Sequence, residues 1–125
     1  MELKSYQQEV INDLTTYLEE LNITSDISQA FKNIWESKGV YFSTLEDRYL
    51  RPYDNSIKGV PRVTVKVPTD GGKTFIACNS IKTICDKLPS EKAKVVVWFV
   101  PSDTILQQTY KNLNDSSHPY RQKID

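Results

Sequence analysis

Apolar positions in the first quarter of this chain recur with a helical period. Leu3, Tyr6, Val10, Leu14, Tyr17, Leu18 and Leu21 stand three or four residues apart, with Glu, Asn, Asp and Thr between them, which predicts an amphipathic helix. A second helix is expected with Ser25 as its N-cap. Ile27, Ala30, Phe31, Ile34 and Trp35 trace its face, and Ser37-Lys38-Gly39 is its stop. Residues 40–61 hold no clear period. Val40-Tyr41-Phe42 reads as a short strand, while Arg51-Pro52-Tyr53-Asp54-Asn55-Ser56 and Gly59-Val60-Pro61 carry loop chemistry. The period then becomes two: Arg62-Val63-Thr64-Val65-Lys66-Val67 alternates and is rich in β-branched residues, as in a strand. Helical spacing returns from Thr74 to Leu88, through Phe75, Ile76, Ala77, Ile81, Ile84 and Cys85, and Pro89-Ser90 break it. Val95-Val96-Val97-Trp98-Phe99-Val100 is a continuous apolar run, the pattern of a strand covered on both faces. Pro101-Ser102-Asp103 then open a last helix carrying Ile105, Leu106, Thr109, Tyr110 and Leu113.

Strand, helix, strand, helix implies a right-handed parallel crossover. The expected fold is therefore α/β, with a parallel sheet and flanking helices. Only two or three strands are available, fewer than an ordinary sheet uses, so the sheet is expected to be partial. An unpaired side on the second strand predicts poor solubility or oligomerisation.

Composition narrows the function classes. A chain of 125 residues is one small domain or part of a larger one. Its 16 basic and 16 acidic residues cancel, which argues against a polybasic protein that holds nucleic acid by bulk charge and leaves room for a local basic groove. No apolar run approaches the roughly 20 residues of a membrane span. The first residues, Met1-Glu2-Leu3-Lys4-Ser5, lack the order of a signal peptide, so a cytoplasmic location is expected. Cys78 and Cys85 fall on one predicted helix, about 10 Å apart, too far for a disulfide. Two cysteines and a single histidine, His118, make a structural zinc site a poor fit.

The stretch with chemical content is Val67-Pro68-Thr69-Asp70-Gly71-Gly72-Lys73-Thr74, which follows a predicted strand and opens a predicted helix. That is the setting of a phosphate-binding loop. Glycines let successive N–H groups turn toward phosphate oxygens, and the helix N-terminus adds partial positive charge. Lys73 is then the residue for the β and γ phosphates of ATP, and the Thr74 hydroxyl the ligand for Mg²⁺. Thr69, Gly71 and Gly72 complete the candidate cofactor set. The loop departs from the usual glycine pattern at Val67 and Asp70. A carboxylate about 5 Å from a phosphate charge, at an effective dielectric near 20, is repelled by roughly 3 kcal/mol. That is on the order of a hundredfold in affinity. A backbone position that favours glycine would add to the cost. Weakened nucleotide binding is expected.

Three blocks together resemble a known family. Leu3-Lys4-Ser5-Tyr6-Gln7-Gln8 is similar to an N-terminal glutamine motif. The run from Val65 through the loop to Cys78 resembles the family's nucleotide loop, where glycine is expected at position 70. The run from Val97 to Thr109, continuing through His118-Pro119-Tyr120-Arg121-Gln122, resembles its motif Ia region. In this order they look like the N-terminal end of the Res subunit of type III restriction enzymes, helicase-like ATPases of superfamily 2. The resemblance implies a partial RecA-like P-loop domain, with a helical region over residues 1–58 and the first half of the ATPase domain over 59–125. It implies that Gln7 recognises adenine, whose edge matches both ends of an amide. It also implies that Pro101, Ser102, Gln108 and Thr109 line a DNA track. A modification (methyltransferase) subunit is the implied partner, and an ATP-dependent hydrolase the implied activity. His118 to Arg121 read as structural, and Tyr41, Phe42, Tyr49 and Tyr53 as packing residues rather than base-stacking ones.

The family's acidic Mg²⁺ motif has no counterpart here. The adjacent acidic pairs, Glu19-Glu20 and Glu46-Asp47, precede the loop and follow no buried strand. The chain alone is therefore expected to bind rather than to hydrolyse or translocate. A truncated, non-catalytic remnant or interaction module is the competing reading. A small P-loop kinase fits poorly, since Arg121 is the one arginine after the second predicted strand.

Overall fold

The computed structural model describes residues 1–41, 53–88 and 93–125. Five helices are present among them: α1 (Ser5–Thr24), α2 (Ile27–Ser37), α3 (Lys73–Lys87), α4 (Asp103–Asn114) and α5 (Pro119–Gln122). At about 1.5 Å per residue, the 20 residues of α1 span about 30 Å and form the spine of the molecule. It packs against α2 on one side and α3 on the other. Ile11, Leu14, Tyr17 and Leu18 supply its buried stripe, Ala30 the contribution of α2, and Phe75, Ile76 and Cys78 that of α3. The periodicity in the sequence thus locates the stripe within a residue of its true face. It misses Gln7, a polar residue buried on the same side.

Local chemistry sets the helix ends. Ser25 is not the N-cap of α2. It closes α1 instead, in the left-handed region at φ 54°, with its N–H on the Leu21 carbonyl. Asp26 caps α2 by accepting from the Gln29 N–H at 3.0 Å. Ser102 caps α4 through the Ile105 N–H at 3.3 Å. The imidazole of His118 caps the short α5, accepting from the Tyr120 N–H at 3.2 Å. Polar residues inside α3 close onto their own helix: Asn79, Ser80 and Thr83 donate to the carbonyls of Phe75, Ile76 and Asn79. Cys78 and Cys85 are free thiols on this helix.

The expected α/β architecture is overturned. No strand and no sheet occurs among the described residues, so the predicted parallel sheet, and with it the RecA-like arrangement, is absent there. Residues 62–67 and 95–100 carry no regular structure. At the third predicted strand, Val40 donates its N–H to the Trp35 carbonyl and terminates α2, while Phe42 lies outside the described residues. The physical reason lies in what alternation reports. β-branched residues and period two express a local preference; a strand also needs a neighbour to take its N–H and C=O groups. Neither segment has that neighbour among the described residues. The run expected to be covered on both faces is open, with Val95 85%, Val97 69% and Phe99 90% exposed.

Candidate nucleotide-loop site

The candidate loop is a tight turn leading into α3. The Gly71 N–H donates to the Pro68 carbonyl at 2.9 Å, closing residues 68–71. A Cβ on Gly71 would strike the Val67 side chain and come within 2.9 Å of the Pro68 carbonyl oxygen, so the turn has room for glycine alone. Gly72 follows at φ 72° and serves as the N-cap of α3. Asp70, by contrast, has no positive φ, Ser25 being the one non-glycine residue with positive φ among those described. Its backbone does not favour glycine, so the expected strain there is absent. Its exposed carboxylate keeps only the electrostatic objection.

Two side chains from α1 hold this turn. The Tyr6 hydroxyl donates to the Gly71 carbonyl at 2.8 Å, and Gln7 Nε2 donates to the same oxygen at 2.9 Å. Gln7 Oε1 accepts from the Lys4 N–H at 2.9 Å. The amide is thus engaged at both ends and buried against the loop, and its second N–H and second lone pair make no bond among the described residues. A Cβ on Gly72 would lie 2.5 Å from Gln7 Nε2, which ties the second glycine to the same contact. From below, Phe75 and Ile76 anchor the first turn of α3 in the core. Tyr120 of α5 lies against the Phe75 ring at 5.7 Å.

The N-terminus of α3 is left open to a ligand. No side chain caps it, whereas Asp26, Ser102 and His118 cap α2, α4 and α5. The first N–H groups of the helix and the positive end of its dipole lie at Gly72-Lys73-Thr74, which are half-buried to exposed. Lys73 is exposed and Thr74 half-buried, and neither side chain bonds to another described residue. These groups fit an anionic phosphate and a cation at its edge. Thr69 sits within the turn, exposed. Behind the loop, burial pushes the Cys78 thiol up to about 11, so it stays a neutral packing group at physiological pH.

The predicted DNA-facing residues form a separate cluster on α4. Pro101 and Gln108 are exposed, Thr109 is half-buried, and the Ser102 hydroxyl oxygen is occupied by its capping bond. α4 packs against α5 and reaches α3 only through it. The structure therefore unites Gln7 with Thr69, Gly71, Gly72, Lys73 and Thr74, but does not join them to the α4 set. Glu19 and Glu20 point elsewhere, to Lys87 Nζ at 3.1 Å and Asn33 Nδ2 at 3.1 Å. Glu46, Asp47 and Tyr49 lie outside the described residues. Tyr53 packs on the Phe31 ring at 5.4 Å, and its hydroxyl accepts from the Arg62 N–H at 2.8 Å. Tyr6 is the contributor that sequence reasoning overlooked. It reads as one more apolar position on α1, and its place beside Gln7 is the signal that could have flagged it.

The family model for the type III restriction enzyme res subunit matches residues 1–125, and the chain belongs to that family. No curated protein and no solved structure gives a significant match to it. Among the described residues, no helix is long and apolar enough to cross a membrane.

Proposed function

We propose that this chain binds ATP with Mg²⁺ at the Thr69–Thr74 loop, as part of a DNA-acting restriction subunit. The observation that carries the reading is the uncapped N-terminus of α3, opening on Gly72-Lys73-Thr74 and pinned to α1 through the Gly71 carbonyl. Backbone N–H groups of the first turn suit phosphate oxygens. The Lys73 ammonium supplies charge at the β and γ phosphates, and the Thr74 hydroxyl is the residue to hold the Mg²⁺ ion. Gln7 keeps one donor and one acceptor for an adenine edge, while its other N–H holds the Gly71 carbonyl and its other lone pair the Lys4 N–H. DNA contact is assigned to Pro101, Ser102, Gln108 and Thr109; Ser102 accepts from the Ile105 N–H at the start of α4 and keeps its O–H to donate to a phosphate. Family membership supports DNA as substrate, and a methyltransferase subunit as partner rests on that membership alone.

Titration with a fluorescent ATP analogue and Mg²⁺ tests the reading on the natural chain, Asp70→Gly and Lys73→Ala. Asp70→Gly is expected to bind more tightly, by up to about a hundredfold, because it removes a charge facing phosphate. Lys73→Ala is expected to lose the binding. Equal affinities for the natural chain and Lys73→Ala, or no binding by Asp70→Gly, would overturn the assignment.

A further inference from the structure

One carbonyl oxygen ties the nucleotide loop to α1. The Gly71 oxygen accepts from the Tyr6 hydroxyl at 2.8 Å and from Gln7 Nε2 at 2.9 Å, so both of its lone pairs are filled. Consecutive residues in the first turn of α1 thus converge on one acceptor, 65 and 64 residues further along the chain. In a planar trans peptide, the C=O and the N–H of the next residue point in opposite directions. The described peptide bonds are all trans. With its carbonyl held toward α1, the Gly71–Gly72 peptide therefore turns the Gly72 N–H away from α1. That N–H meets no acceptor among the described residues.

The torsions on either side of this peptide belong to glycines, which have no Cβ to oppose its rotation. A flipped plane would put the carbonyl oxygen where the N–H had been and set partial negative charge against a phosphate. One hydrogen bond leaves such an oxygen free to pivot; two from different side chains fix the direction of the plane. We infer that Tyr6 is a positioning residue of the nucleotide loop: with Gln7 it locks the Gly71–Gly72 peptide so that the Gly72 N–H stays available to a bound phosphate. This role rests on the loop binding a nucleotide, as proposed above. Gln7 has a second duty there at the adenine edge. The Tyr6 hydroxyl makes no other bond among the described residues, so it is the donor dedicated to the loop. It acts on the phosphate end of the ligand and is indifferent to the base.

Tyr6→Phe tests the role, since the ring is 38% exposed and the change removes one oxygen without opening the core. Affinities for ATP, GTP and inorganic tripolyphosphate, each with Mg²⁺, are measured on the full chain with and without this change, and again in the Asp70→Gly background. All three are expected to weaken by the same factor, about fivefold for the loss of one hydrogen bond, with the ATP-to-GTP ratio unchanged. Asn22→Ala is the control. Asn22 Nδ2 donates to the Lys87 carbonyl at 3.0 Å, another bond from α1 to α3, at the opposite end of α3 from the loop. Its removal is expected to leave the three affinities as they are. In amide NMR, the Gly72 resonance is expected to move on addition of tripolyphosphate, and to move less in Tyr6→Phe. The role is overturned if Tyr6→Phe binds as the natural chain does, if the ATP-to-GTP ratio changes, or if Asn22→Ala loses as much affinity. A Gly72 resonance that stays still while tripolyphosphate binds overturns it too. Failure of both the natural chain and Asp70→Gly to bind any of the three ligands is a different result: it removes the nucleotide reading itself, and the role of Tyr6 with it.

Discussion

Gln7 and Tyr17 show how much turns on two polar side chains inside an otherwise apolar stripe. Both lie on the buried face of α1, but the Gln7 amide is bonded at both ends while the Tyr17 hydroxyl has no partner among the described residues. A hydrophobic pattern can place each on the inner face; it cannot say which finds a partner 64 residues away. Tyr17 also makes stability depend on pH. Its hydroxyl is raised to about 12, mainly by burial and then by Tyr53, whereas an unfolded tyrosine releases its proton near pH 10. Between those values the folded state binds more protons than the unfolded one, so stability falls as pH rises through the window. Below pH 10 the contribution is fully present. The melting temperature of the natural chain is expected to drop more steeply than that of Tyr17→Phe between about pH 10 and 12. Parallel slopes would show that the phenol is not held in its neutral form.

At the level of elements, the junction between α1 and α3 governs the candidate site. The turn at residues 68–71 buries little of itself, Pro68, Thr69 and Asp70 being exposed, and its shape depends on the Gly71 carbonyl being held from α1. Gly72 tests this coupling. Alanine there meets the left-handed penalty of about 1–2 kcal/mol. Its Cβ also pushes on Gln7 Nε2 at 2.5 Å, displacing an amide that is buried and bonded. Gly39, at φ 78° with open space around it, carries the backbone penalty alone. Urea unfolding is expected to show Gly72→Ala destabilising by about 1 kcal/mol more than Gly39→Ala, the worth of the displaced hydrogen bond. Equal losses would mean that the amide moves aside freely and that the loop does not depend on α1.

For the molecule as a whole, the unpaired segment at residues 95–100 is the dominant surface feature. Val95, Val97 and Phe99 stand in solvent beside backbone groups that no described strand takes up. An apolar, β-prone run without a ladder partner is a template for pairing with another copy. The sheet from which oligomerisation was expected is absent among the described residues, so the expectation is here argued from this exposed run instead. Sedimentation velocity is expected to show larger species growing with concentration for the natural chain. Phe99→Lys, which places a charge at a position 90% exposed, is expected to shift the population toward monomer at little cost in stability. A natural chain that stays monomeric across the same range would remove this surface as an association site.

Much of the local architecture was written in the residue order. Helical spacing located α1, α2, α3 and α4, and Gly-Gly-Lys-Thr marked the start of α3, because periodicity and turn chemistry act within a few residues. The family was legible in three motifs for the same reason. α5 escaped, being one short turn set by a Pro and a His cap. Long-range pairing was not legible either. Whether residues 62–67 and 95–100 find a ladder, whether the Gln7 amide finds a partner and the Tyr17 hydroxyl does not, and whether Tyr6 reaches Gly71 depend on contacts between distant segments. Such contacts belong to packing, and a local pattern carries no term for them.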